Sequence, residues 1–355
     1  MPKRGKEKEK ISEANVLRHG RAVHLCRGFA LLLYGAVITG LLPDGLRNAF
    51  DAVSIPLLLA AFGYEAEETG FFKKEWREII SFVLKRLMLP YIVFSLIRLA
   101  GEALSMIAKG TAFDERLKIG VLESVSLYGI RELWVFPAAA ISLLLFMLLR
   151  KKAGTVPSFL ITSVGIIVFI TLFHIFSAPD TGKGVIFFMR IVLAFFFISL
   201  GCLAAARLKK SEHRRIFFAL PGAFLLLVPG LTAGLLAYHS RWEFMDFRNI
   251  LVSVIFSVLM CEGAFCLAVW IENVTALNFL GKNMETCLAA LNVLWASTLA
   301  AAAGDIIFRI TDNNFLTRGT VIIVLIAVVV FWIYLFKLPV FKAMHDTEKD
   351  IHNDV

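Results

Sequence analysis

Residues 250–271 read ILVSVIFSVLMCEGAFCLAVWI, and in that stretch Glu262 is the single charged side chain. Wound as an α-helix at about 1.5 Å per residue, it is about 33 Å long. That is enough to cross a hydrocarbon core about 30 Å thick. A helix suits that medium because it satisfies its own N–H and C=O groups where lipid offers none.

Working outward from this block, comparable apolar blocks occupy 216–238, 185–206, 156–178, 133–149, 87–107, 50–64 and 25–43 toward the amino terminus. Two more, 284–303 and 320–336, lie toward the carboxyl terminus. The expected fold is therefore an all-α polytopic membrane protein with about ten transmembrane helices. Composition agrees: 58% hydrophobic residues and a mean hydropathy of +0.76 exceed what a soluble domain carries. Block 50–64 is short and contains Pro56, so a break or a tilt is expected there. Pro221 and Pro229 predict a kink in 216–238. Block 87–107 can begin earlier, because 78–84 already has a helical pattern.

Lys and Arg set the orientation. Most of the 37 fall in segments that share a side with the amino terminus: the tail itself, 73–86, 150–152, 207–215, Lys282 and the carboxyl end. Excess Lys and Arg mark the cytoplasmic side, so both termini are expected inside a plasma membrane. The division is a basic cytoplasmic tail (1–24), a membrane domain (25–340) and a polar cytoplasmic tail (341–355). Net charge is +9, but it sits in short loops between spans, which argues against nucleic acid as a partner and for the bilayer. The longest outside loop, 108–132, is too short for a domain. The opening MPKRGKEKEK reads as a tail and not as a cleavable leader. Cys26, Cys202, Cys261, Cys266 and Cys287 lie in or beside apolar blocks without metal-site spacing, and read as small buried hydrophobes. No metal site is expected.

A charge inside a span costs about 2.5–3.5 kcal/mol on insertion scales, so each one needs a reason. Arg98 and Glu102 stand four apart on one helix, as a structural ion pair or as a substrate-facing pair. Arg190 lacks a local acid, and Glu262 is its expected partner. His174, late in its span, is either a packing residue or a proton-transfer group. At the edge of the first span, His24 and Arg27 share a helical face. A polar cavity open to the cytoplasm is expected, lined by Arg27 with Arg98, Glu102, Arg190 and Glu262 deeper in.

Five segments, in order, resemble the type-three membrane acyltransferase family, in its fucose O-acetylase-like branch. They are Arg27-Gly28-Phe29-Ala30, Ile55-Pro56 with its run to Gly63-Tyr64, Lys85-Arg86-Leu87-Met88-Leu89-Pro90-Tyr91, Leu133-Trp134-Val135-Phe136-Pro137-Ala138 and Leu280-Gly281-Lys282-Asn283. The resemblance implies an acyltransferase-3-like bundle of about ten spans that transfers acyl groups to surface sugars. It implies acetyl-CoA or another acyl-CoA as co-substrate, with no permanently bound cofactor. The acceptor would be a glycan or a lipid-linked sugar. Arg27, Lys85 and Arg86 would contact the donor's phosphates, and Arg98, Glu102 and Arg190 the acceptor.

The departures fall on the chemistry. The family has a His eleven positions after the first-span Arg, where this chain has Ile38, and a second in the late span, where it has Leu291-Asn292. The family's acid three positions before that Arg is His24, and the Ser after Gly-Lys-Asn is Met284. Isoleucine has no lone pair to accept a proton, so Glu262 and His174 become the candidate catalytic bases by depth. Two other functions stay open: a non-catalytic binding or assembly subunit of an envelope-glycan pathway, and a transporter or amino-acid-handling module. The absence of an internal repeat at fixed period weighs against the last.

Overall fold

The structure is a computed structural model and describes residues 3–40, 42–108, 110, 115–129, 131–176, 183–210, 216–236, 240–242, 246–271 and 274–337. The core of every apolar block is helical. In chain order the helices are α1 (Lys3–Ile38), α2 (Asp44–Glu68), α3 (Trp76–Val83), α4 (Leu89–Ala108), α5 (Glu115–Val125), α6 (Val135–Ala153) and α7 (Thr155–Phe176). They continue with α8 (Lys183–Lys210), α9 (Ile216–Leu235), α10 (Ile250–Ile271), α11 (Thr275–Lys282), α12 (Met284–Asn292), α13 (Ala296–Thr311) and α14 (Asn314–Phe336). Among the described residues, seven helical segments are long and apolar enough to cross a membrane, and an eighth forms if the bent pair α12 and α13 counts as one span.

Several local expectations change. The short block around Pro56 is the middle of α2, a continuous helix that begins at Asp44. Its neighbours bury it: Ala52 through Tyr64 are all buried. The loss of one backbone hydrogen bond at proline is tolerated where packing on every side holds the helix. Block 87–107 does start earlier, since α3 runs through a π-helical turn, Leu84–Met88, into α4 and makes one segment, Trp76–Ala108. The late block 284–303 is not one straight helix. It breaks at 293–295 and bends by 51°, with Trp295 in the left-handed region at φ 57°. An aromatic residue in that region is strained, and such positions persist where surrounding packing imposes them.

The segment 108–132 is more than a surface loop. Its helix α5 folds back along α4. A Cβ on Gly120 would stand 3.1 Å from Leu99, and the Tyr91 hydroxyl donates to the Ser124 carbonyl at 2.7 Å.

Close helix crossings assemble the bundle. Gly63 of α2 packs against the Ile198 carbonyl of α8, while Gly201 of α8 packs against the Ala60 carbonyl of α2. Gly28 of α1 meets the Leu277 carbonyl of α11, and Gly281 of α11 meets the His24 carbonyl of α1. A side chain at any of these four positions would overlap backbone. In lipid, where apolar surface gains little by leaving solvent, such backbone approach is a main source of helix association. All five cysteines are buried and free.

Candidate functional site

The α1–α11 crossing fixes Arg27, one residue before Gly28, at the edge of the bundle nearest the end of α2. Its guanidinium is 1% exposed and reaches Glu65, with Nη2 to Oε2 at 2.5 Å and Nη1 to Oε1 at 3.4 Å. Arg86, carried by the π-helical turn, donates from Nη1 to Glu65 Oε1 at 2.7 Å and turns its Nε toward Glu285 of α12 at 3.5 Å. Two guanidinium groups and two carboxylates thus join α1, α2, the π-helical turn and α12. Rings cover both cations: Phe62 lies 5.1 Å from Arg27 and Phe82 lies 5.4 Å from Arg86. His24 lies one turn before Arg27, and its Nδ1 is buried without a hydrogen-bond partner among the described residues. Lys85 does not join the cluster; it is exposed. A π-helical turn shifts the side-chain register of the helix, and such turns are frequent at functional sites.

Arg190 is satisfied in a different way from the one expected. Its Nη1 donates to the Tyr128 carbonyl at 2.9 Å, and the rings of Tyr128 and Trp134 lie 4.5 and 4.8 Å from its guanidinium carbon. Glu262 does not pair with it. Glu262 accepts from Arg207, close to the carboxyl end of α8. Seventeen residues separate the two arginines on α8, about 25 Å along the axis, and α10 lies beside the later one. Sequence spacing says nothing of the depth at which two helices face each other, which is why the Arg190–Glu262 pairing failed.

The Arg98–Glu102 pair forms within α4, with Nε to Oε1 at 2.6 Å. Trp295, at the break of the late span, lies 5.7 Å from Arg98. A Cβ on Gly101 would collide with the Trp295 ring. This pair therefore borders the broken span. His174 belongs to α7 but falls outside the residues whose side chains are described.

The two places where the resemblance implies histidines are near each other. Leu291 packs within 3.7 Å of where a Cβ on Gly35 would stand. The Tyr34 hydroxyl donates to Asn292 Oδ1 at 2.5 Å, and Asn292 Nδ2 donates to the Leu288 carbonyl at 3.0 Å. Ile38, one turn on from Tyr34, is half-buried against the core. An apolar contact and a buried neutral hydrogen bond stand at the positions where the resembling family carries its histidines.

A cavity of about 130 Å³ lies between α1, α9, α10 and α11. Cys26, Phe29, Leu226, Ala264, Ala268 and Leu277 are among its walls. None of the five charged residues expected to line a polar cavity lines this one. Among the described residues, no group of three or more His, Cys, Asp or Glu could hold a metal ion.

The partner roles of four residues in these contacts escaped sequence reasoning. Glu65 and Glu285 end or begin apolar segments, where a carboxylate reads as an ordinary solvated cap. Arg207 reads as a loop cation, and Asn292 as a neutral polar residue. Glu65 carried the one available signal: it directly follows Gly63-Tyr64, the end of a segment already singled out. Comparison with family models, with curated proteins and with solved structures finds no match to this chain.

Proposed function

We propose that this chain is an acyltransferase-type protein of about ten spans in the plasma membrane, with both termini cytoplasmic. It transfers an acyl group, acetyl from acetyl-CoA in the simplest case, to a hydroxyl of a cell-surface glycan or lipid-linked sugar. One observation carries this reading: four of the five segments that resemble the acyltransferases, scattered between Arg27 and Asn283, meet at one cluster. Arg27 and Arg86 belong to two of them, Glu65 directly follows the third, and Glu285 lies two residues beyond the fourth. Short segments alike by accident have no reason to converge.

In the transfer, the acceptor oxygen bonds to the acyl carbon, the carbon–sulfur bond of the thioester breaks, and CoA leaves as a thiolate. The acceptor's proton needs a base. Arg27, Arg86 and the exposed Lys85 answer to the donor's phosphates; Arg98, Glu102 and Arg190 answer to the acceptor. Glu262, its carboxylate held by Arg207, is the first candidate base and His174 the second.

A second reading is a non-catalytic relative that binds or assembles in a glycan pathway. The Ile38 and Leu291 positions favour it, because the Tyr34–Asn292 hydrogen bond occupies the neighbourhood where a relay would work.

Acetyl-CoA hydrolysis and transfer by purified protein separates the two. The acyltransferase reading expects turnover that drops about 10²–10⁴-fold in Glu262→Gln or in His174→Ala, the usual contribution of a general base. Turnover surviving in both variants removes both bases. Turnover that appears only in Ile38→His marks a non-catalytic chain.

A further inference from the structure

The helical segment Trp76–Ala108 has 33 residues. At 1.5 Å per residue it is about 50 Å long, and it overshoots a hydrocarbon core of about 30 Å. Its exposed apolar side chains Leu84, Ile92, Leu96, Leu104 and Ile107 cover about 35 Å of that length. The turns before them, in α3, carry exposed Arg77 and Glu78, which places them in the headgroup layer. Trp76 and Ile80 are exposed there as well, at the four-residue spacing that leads to Leu84. The stripe therefore continues the lipid-facing side of α4 outward, and Trp is a residue that settles at this depth.

Charge gathers around Trp76. The end of α6 reaches it: Lys151 Nζ lies 5.3 Å from the Trp76 ring and 3.5 Å from the Lys74 carbonyl. Exposed Lys73, Arg77, Lys151 and Lys152 stand here against exposed Glu75 and Glu78, with Lys74 half-buried beside them. Arg150 adds nothing to the excess, because Glu67 accepts from it at 3.0 Å. The balance is positive and open to solvent, unlike the buried Arg27–Glu65 cluster. Exposed cations beside an indole and an apolar stripe match a molecule with an anionic head and long apolar chains.

We infer that this rim, between α3 and the end of α6, is a binding site for an anionic phospholipid of the adjoining leaflet. The lipid phosphate sits among Lys73, Arg77, Lys151 and Lys152, Trp76 lies at the level of the glycerol, and the chains follow Ile80 and Leu84. The bilayer supplies the occupant because the exposed stripe runs on into the span. The site does not depend on the acyltransferase reading.

The test is retention of phosphatidylglycerol and of phosphatidylcholine by the full-length protein in neutral detergent, counted by native mass spectrometry across a lipid titration. Phosphatidylglycerol should bind more tightly, and the preference should fade as salt rises. One cation near an anionic headgroup layer is worth about fivefold in affinity. Lys151→Gln should therefore lower phosphatidylglycerol affinity about fivefold, and Lys151→Gln with Lys152→Gln about 25-fold, while phosphatidylcholine is unchanged. Trp76→Ala should weaken both lipids, since it removes apolar contact and no charge. Lys209→Gln, which removes an exposed cation near the end of α8, should alter neither.

Equal retention of the two lipids by the wild type overturns the inference. So does a preference that survives the double lysine variant, or one that Lys209→Gln lowers as much as Lys151→Gln does, since the charge then acts from the whole rim. If glycerol 3-phosphate displaces phosphatidylglycerol at equal concentration, the phosphate alone is recognised and the assignment to a lipid fails. If a polyglutamate peptide binds this face and phosphatidylglycerol does not, the partner is an acidic protein segment and the inference falls.

Discussion

Arg27 and Arg190 are both arginines buried inside an apolar bundle, 1% and 3% exposed, yet different groups meet their guanidiniums. Arg27 is neutralised: a carboxylate faces it, and a second guanidinium shares that carboxylate. Arg190 donates to a backbone carbonyl and has two aromatic rings 4.5 and 4.8 Å from its guanidinium carbon. The first arrangement is a network of formal charges in which each member depends on the others. The second surrounds the positive charge with a carbonyl dipole and π faces.

The contrast breaks most sharply at Glu65. Removing one partner of a buried pair costs about 3–5 kcal/mol, because the other charge is left uncompensated. Glu65→Gln should therefore be severely destabilised in a thermal melt of the detergent-solubilised protein. The double variant Arg27→Met with Glu65→Leu should recover part of that loss, since it removes the stranded Arg27 but still takes Glu65 from Arg86, which keeps Glu285. A single variant that melts with the wild type would show that water reaches Arg27 and that no such dependence exists.

Arg190 should behave more mildly. Arg190→Gln keeps a planar donor for the Tyr128 carbonyl, so the expected cost is about 1–2 kcal/mol, in the range of a cation–π contact and one charged hydrogen bond. Arg190→Lys should be no better than Gln, because an ammonium lacks the planar face that a guanidinium can present to Tyr128 and Trp134. If Lys restores full stability, the two rings contribute little and the difference between the two arginines narrows.

The smallest effect belongs to Glu262→Gln. Its partner Arg207 is 51% exposed, so the released cation returns to water or to lipid headgroups instead of remaining stranded. A loss of about 1 kcal/mol or less is expected in the same melt. A loss as large as that of Glu65→Gln would mean that Arg207 is as trapped as Arg27, and exposure would not be what separates the ionic pairs.

How much of this was legible beforehand depends on the range of the interaction involved. The apolar blocks, the helical class and the Arg98–Glu102 pair follow from the sequence, because hydropathy accumulates along one segment and a four-residue spacing puts two side chains on the same helical face. The segments around Arg27, Gly63, Arg86 and Gly281 could also be singled out there, although not where they meet. Tertiary structure alone decided that Glu65 faces Arg27, that Arg207 and not Arg190 takes Glu262, that α5 folds back on α4, and that the late span breaks at Trp295. Each of these depends on the depth and rotation at which separate helices cross. Those are set by where Gly28, Gly63, Gly201 and Gly281 allow one backbone to approach another, and a one-dimensional pattern of apolar residues, nearly uniform around each span, does not contain that information.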